Sequence, residues 1–267
     1  MKAVSKEIYN RIDNDLYNAP EDPWWSGNSA LSLLKTTVNP LRVGYFKRKL
    51  FQEMNIDPTG KTALEVGSGG GILTEEIAGM GFITTGIDPS ENSVAVARDH
   101  AQQSGLDIRY DVGSGEALPY ADASFDVVFC CDVLEHVTDL PKVIEEITRV
   151  LKPGGVFAFD TINRTFVSKL VAIKIWQEWK RWAFMPANLH VWEMFIKPAE
   201  LKAVMEAKGL TVKEFRGSKP SASIPTMLKY LRKRAKGEWT FKQLSEKFLL
   251  IEDKDMNILY MGLSVKP

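Results

Sequence analysis

The stretch ALEVGSGGG, residues 63–71, runs from a short apolar segment directly into four glycines within five positions, Gly67, Gly69, Gly70 and Gly71. Glycine lets a chain turn tightly and lets a ligand approach the backbone closely, so a β-strand ending in such a loop and followed by a helix is a cradle for a nucleotide-type cofactor. Two familiar cradles are excluded. The dinucleotide fingerprint GxGxxG fails because Ile72 stands where the third glycine belongs, and the P-loop fails because no Gly-Lys-Ser/Thr follows. Two carboxylates accompany the loop: Glu65, two residues before Gly67, and Asp88, 21 residues after it at the end of the next apolar run. An acid in the second position can accept the hydrogens of ribose hydroxyls.

Outward from this loop, the pattern from 61 to 161 alternates short apolar runs with helical ones. TALEV (62–66), ITTGI (83–87), IRYDV (108–112), DVVFCC (126–131) and VFAFDT (156–161) read as strands. Helices are expected at 72–80, at 90–104 with Ser90 as cap, and at 141–151, closed by the breaker KPGG at 152–155. Near-continuous apolar strands separated by helices indicate a parallel sheet covered on both faces. A helix at 198–208 and strands near 211–215 and 258–265 complete the pattern, with segments 163–195 and 219–250 inserted between them.

The 267 residues carry 34 basic and 34 acidic side chains, but the neutrality is an average of two unlike halves. Residues 1–160 hold 14 basic and 24 acidic groups; residues 161–267 hold 20 and 10. Hydrophobic residues at 45% and charged residues at 25% exclude a disordered or fibrous chain. Adjacent Cys130 and Cys131 offer neither a disulfide framework nor a four-cysteine zinc site, and the polar N-terminus has no apolar signal core. A cytoplasmic protein, peripheral to the inner membrane face if it meets a membrane at all, is the expectation.

Glycine loop, Glu65, Asp88 and the downstream GSGEALPYADASFDVV (113–128) together resemble the class I S-adenosylmethionine-dependent methyltransferases. VNPLRVGY (38–45), LEVGSGGGILTE (64–75), DVLEHVTDLPKVI (132–144), LKPGG (151–155), TINRT (161–165) and FIKPAEL (195–201) narrow the resemblance to the ubiquinone-biosynthesis O-methyltransferases of the 3-demethylubiquinol type, from about Pro23 to Leu210 and again at 255–262. The resemblance implies an α/β, Rossmann-like seven-stranded sheet with its last strand antiparallel, an N-terminal helical cap over 1–60, and a methyltransferase domain over 61–267 bearing lid insertions at 163–195 and 219–250. It implies S-adenosylmethionine as cofactor and a small aromatic hydroxyl compound as acceptor. Asp88 would hold the ribose, Gly67 and Gly69 the methionine part, Ser114, Gly115 and Glu116 the adenine, Arg42 the carboxylate, and Cys131 would line the cofactor. Three features depart from the family pattern: Ser114 stands where Asp accepts the adenine amino proton, Asp132 stands where the family has Glu, and the 219–250 insertion is longer. A natural-product methyltransferase with a soluble phenol or sugar acceptor, a cofactor-binding protein without catalysis and a lipid-surface module are the competing readings.

Methylating a phenolic oxygen requires removing a proton whose pKa is about 10, by a base or with the help of a cation. Asp132, Glu135 and His136 form a D-x-x-E-H cluster after the fourth strand; on a helical turn they share one face and can hold Mg²⁺, or the histidine simply packs or touches substrate. His190 aligns with a family histidine and is the candidate general base, with Glu135 and His136 as catalytic candidates beside it. His100, in VARDHAQQSG, reads as a solvated surface residue. Residues 164–184 set five basic side chains beside Trp176, Trp179, Trp182 and Phe184, a composition suited to an anionic membrane surface or to an ordinary lid. KYLRKRAKGEW at 229–239 adds a second basic run, read as a solvated helix face; neutral charge and the absence of a recognised motif argue against nucleic acid.

Overall fold

The computed structural model describes residues 5–13, 15–18, 24–25, 29, 31, 33–180, 182–183 and 185–267. Pro23, Arg181 and Phe184 of the stretches quoted above lie outside the described residues. Among the described residues eight strands form one sheet: β1 Thr62–Val66, β2 Ile83–Asp88, β3 Ile108–Val112, β4 Phe125–Cys131, β5 Leu151–Ile162, β6 Thr211–Pro220, β7 Leu250–Asp253 and β8 Leu259–Val265. Their spatial order is β3-β2-β1-β4-β5-β8-β6-β7. Strands β1 to β5 pair in parallel, whereas β8 is antiparallel to both β5 and β6, and β7 to β6. The sheet therefore has one strand more than expected, an added edge strand at 250–253 where the sequence reading had the end of an insertion.

Among the described residues the α-helices are α1 Lys6–Tyr9, α2 Asn39–Lys47, α3 Ile72–Ala78, α4 Glu91–Gln103, α5 Leu140–Val150, α6 Phe166–Ser168, α7 Pro198–Ala207, α8 Ile224–Ala235 and α9 Phe241–Ser245, and α6 runs on into a π-helix at Lys169–Glu178. Period-two alternation divides the strand residues between two cores. On one face Leu64, Val66, Val128, Cys130, Phe157 and Phe159 pack under Val143, Ile144 and Ile147 of α5 and Leu201, Val204 and Met205 of α7. On the other, Ala63, Val127, Phe129, Cys131 and Ala158 pack under Phe46 of α2 and Leu73 and Ile77 of α3. Helix α5 shows why: its buried apolar positions 140, 143, 144, 147 and 150 fall on one stripe, and Asp139 caps its start by accepting from Lys142 N. Ser90 caps α4 in the same way, accepting from Ser93 N.

One expected breaker behaves differently. KPGG at 152–155 lies within β5, where pairing with β4 slips from Phe125–Leu151 to Val127–Val156. Gly154, at φ +76°, gives its N–H to Lys266 O (2.8 Å), so the extra residues form a bulge tied to the C-terminal strand instead of a loop.

Candidate active site

Strand order reverses at β1: β2 and β3 lie to one side of it, β4 and β5 to the other. Ligands of open α/β sheets bind in the crevice outside the carboxyl ends of the strands at such a switch point. Here that crevice lies between the turn after β1, at Gly67, and the turn after β4, at Asp132. A cavity of about 1210 Å³ opens from it, more than the roughly 300–1,000 Å³ of a typical single-ligand site.

Its floor is held by backbone hydrogen bonds. Gly67 N and Ser68 N donate to Ile87 O at 2.8 and 3.0 Å, joining the loop to β2. Gly67 sits at φ +76°, and a Cβ there would come within 2.2 Å of Val133 Cγ2, so only glycine fits. Asp88 accepts from Gly69 N (2.8 Å) and from Ser90 N (2.9 Å); burial raises its pKa. Buried Glu65 accepts from Thr74 Oγ1, and burial pushes its carboxyl up to about 8, so it is mostly protonated at neutral pH. Ser114 donates to Glu116, whose other oxygen accepts from Thr138 N and Oγ1 at 3.2 and 3.0 Å. Burial works against ionisation of Glu116, but these hydrogen bonds hold it below the usual carboxylate value.

Arg42 is buried beside this floor. Its Nε donates to Asn39 Oδ1 (2.6 Å), while Nη1 donates to Asp132 Oδ2 (2.5 Å) and Asp160 Oδ2 (3.1 Å). Burial alone would lower its pKa; the two aspartates hold it above the ordinary range. Asp160 is raised to about 6, by burial and then by the charge of Asp132, and also accepts from Asp132 N (2.8 Å). The Cys131 thiol, which lines the cavity, is pushed well above its usual value by burial.

Arg42, Glu65, Gly67, Asp88, Ser114, Gly115, Glu116 and Cys131 all line this one cavity, with Asp132, His136 and His190. Gly69 and Glu135 lie just outside its lining. The D-x-x-E-H cluster is not on a helix: Asp132 has φ +56°, and its carboxylate turns to Arg42. The group that does converge is Glu135, His136 and His190, whose ligand-type atoms lie within 4.8 Å of one another. Glu135 Oε2 accepts from Thr161 Oγ1 (2.7 Å), but Glu135 Oε1, His136 Nδ1 and His190 Nδ1 are all buried with no hydrogen-bond partner among the described residues. Burial raises Glu135 to about 8 and lowers His136 to about 4; burial, and then His136, keeps His190 well below 6.5. His190 is positioned by Gln177, whose Oε1 accepts from His190 N at 2.8 Å and whose Nε2 donates to Ala172 O at 3.0 Å.

The sequence reading missed the aromatic cover. Trp24 lies over the glycine loop so closely that a Cβ on Gly69 or Gly70 would fall 2.3 or 2.2 Å from its ring. Trp24 Nε1 donates to Ser93 Oγ (3.2 Å), and Tyr17 stacks on it with ring centroids 5.8 Å apart. Trp25 Nε1 donates to Gly70 O (2.7 Å), and its ring stacks at 3.4 Å on His100, which in turn meets Glu75 at 2.6 Å. His100 is thus a clasp for the N-terminal segment, not a freely solvated side chain. The WW pair at 24–25 was the available signal, but nothing in its spacing pointed to the loop.

Residues 64–159 match the family model described as a methyltransferase domain. The fold is shared with a SAM-dependent methyltransferase from Aquifex aeolicus at TM-score 0.52 and 15% identity, covering 83% of this chain and 93% of that one. The protein is a Rossmann-like, S-adenosylmethionine-dependent methyltransferase. A ubiquinone biosynthesis O-methyltransferase of Paramagnetospirillum magneticum is 37% identical over 75% of this chain and 82% of its own length. A protein of the same name from Rhizobium johnstonii is 30% identical over 100% of both. The chain belongs to the ubiquinone biosynthesis O-methyltransferase family.

Proposed function

We propose that this protein methylates a hydroxyl oxygen of a lipophilic phenol or catechol, of the kind the relatives' name associates with ubiquinone biosynthesis. One observation carries the reading: the cavity joins a polar floor at the switch point to walls made of Val167, Leu170, Ile175, Trp176, Met227 and Leu231. A soluble sugar would leave such walls unfilled.

S-adenosylmethionine, when bound, supplies a methyl group on a cationic sulfur. The floor suits it. Asp88 would accept ribose hydroxyl hydrogens, Ser114 and Glu116 would border the adenine, and Gly67 and Cys131 would flank the sulfur side. Arg42 offers the cofactor carboxylate its remaining Nη2, since Nε and Nη1 are committed to Asn39 and the two aspartates. Four carboxylates, Asp88, Glu116, Asp132 and Asp160, against one guanidinium leave this floor negative, which favours a cation.

At the acceptor end, Glu135, His136 and His190 each offer an oxygen or ring nitrogen within 4.8 Å of the others. Neutral imidazoles hold and accept the acceptor's proton; His190, aligned by Gln177, is the base in this assignment. The same oxygen and two nitrogens make a donor set for a divalent cation, and imidazole ligands suit Zn²⁺, Fe²⁺ or Ni²⁺ better than Mg²⁺. Such an ion would lower the acceptor's pKa. Asp132 is not in that set. Outside the cavity, Phe166 and Trp179 are exposed on the first insertion, next to its lysines, and we assign them to contact with an anionic membrane. No helix among the described residues is long and apolar enough to cross one.

Transfer of labelled methyl to a panel of catechols, phenols and sugars tests the reading: prenylated catechols should be methylated fastest, and a sugar preference would reject it. Calorimetric titration with Mg²⁺ and with Zn²⁺ and assay in excess chelator separate the two proton-removal routes; no uptake of either ion with full activity eliminates the metal.

A further inference from the structure

The second insertion builds one wall of this cavity. The end of β6, Ser218 to Pro220, and then Ala222 line it; α8 presents Met227, Leu228 and Leu231, and Leu244 of α9 and Phe248 continue the wall. Positions 227 and 231 share one helical face at i,i+4, and 228 flanks it three residues before 231, while Lys229, Arg232 and Lys236 are exposed. The first insertion supplies Val167 of α6 and Leu170, Val171 and Ile175 of the π-helix Lys169–Glu178. Among the described residues, seven of the nine exposed large hydrophobic side chains belong to 166–179, 228 and 249–251. Three of them, Val167 (39% exposed), Leu170 (37%) and Leu228 (39%), also line the cavity. These half-exposed lining residues make an apolar mouth shared by the two insertions, whereas His136 Nδ1 and His190 Nδ1, on the same lining, are buried.

We propose that α8–α9 is the selector of acceptor chain length: Met227 and Leu231 grip the hydrocarbon chain between the reacting ring and the mouth, so that efficiency depends on a tail. This rests on the aromatic-acceptor reading above and adds which residues choose among such acceptors. A catechol without a tail fills only the inner end; a chain extending outward covers the α8 face and the apolar mouth, where each methylene in an apolar pocket counts for about tenfold or more.

The test uses the full chain and one catechol carrying no tail or prenyl chains of increasing length. Methyl transfer is measured, and binding of each compound in the presence of S-adenosylhomocysteine is measured by calorimetry. Wild-type kcat/KM and affinity should rise with chain length. Leu231→Trp, which fills the channel, should reduce the long-tail to tail-less ratio at least about tenfold. Leu228→Lys at the half-exposed mouth should reduce it in the same direction and guards against a misfolded core variant; retained S-adenosylhomocysteine binding reports folding. A ratio unchanged in both folded variants, or equal losses on both acceptors, overturns the proposal. If no catechol is methylated but tail-dependent binding persists and is lost in the variants, the selector stands and the acceptor reading fails.

Discussion

The floor of the cavity and its walls are built on opposite principles. The floor is backbone: Gly67, Ser68 and Gly69 are fixed by hydrogen bonds to Ile87 and Asp88, and what they can hold is set by φ angles and by the absence of side chains. The walls are apolar side chains drawn from 31–38, 162–189 and 222–259, segments far apart in the chain. A backbone site tolerates little change but serves one invariant ligand. A side-chain site can be retuned residue by residue, which suits an acceptor that differs between enzymes.

That contrast can be broken by mutations that fall on one side and read out on the other. The largest effect is expected at the acceptor end: His190→Gln should lower kcat by about 10²–10⁴ while leaving S-adenosylhomocysteine affinity within about threefold, as measured by steady-state kinetics and calorimetry. Equal loss of both would mean that floor and wall are one unit. Gly67→Val should reduce cofactor affinity about a hundredfold or more, because the new side chain meets both a disfavoured φ and Val133; a variant binding normally would show that the loop is not the rigid element described here.

The smallest effect on binding is expected from Glu65→Gln, which mimics the protonated side chain: cofactor affinity should change less than about threefold at pH 7. Its signature is in stability. A carboxyl raised to about 8 in the folded protein contributes stability that is fully present below its ordinary value of 4.5 and is lost as pH rises through 8, because the unfolded chain ionises first. Denaturant titrations from pH 4 to pH 9 should show this decline in the wild type and a flatter profile in Glu65→Gln. Identical profiles would remove the protonated assignment.

The same contrast explains what the sequence disclosed. Strands β1 and β3 are bounded as their apolar runs indicate, and Ser90 caps α4 as expected, because these follow from local pattern and capping chemistry. KPGG misled because a Pro-Gly-Gly run marks both loops and bulges, and only the pairing of β5 with β4 and β8 decides between them. The edge strand β7 was hidden because LIED has no alternation and gains its strand form from β6. At the acceptor end, spacing grouped Asp132 with Glu135 and His136, yet a buried arginine 90 residues earlier draws Asp132 away. His190 takes its place from a segment more than 50 residues later. Trp24 on the glycine loop was equally illegible, since its contact is wholly tertiary.

Cys130 and Cys131 leave β4 on opposite faces, one into the core beneath α5 and α7, the other toward the crevice. The two sulfurs are therefore a natural pair of chemical reporters on two sides of a sheet one residue apart. A small thiol reagent reaches Cys131 through the cavity but reaches Cys130 only when the sheet itself opens. With both thiols pushed to high pKa by burial, labelling is slow, and its ordering in time distinguishes emptying of the crevice from unfolding of the protein.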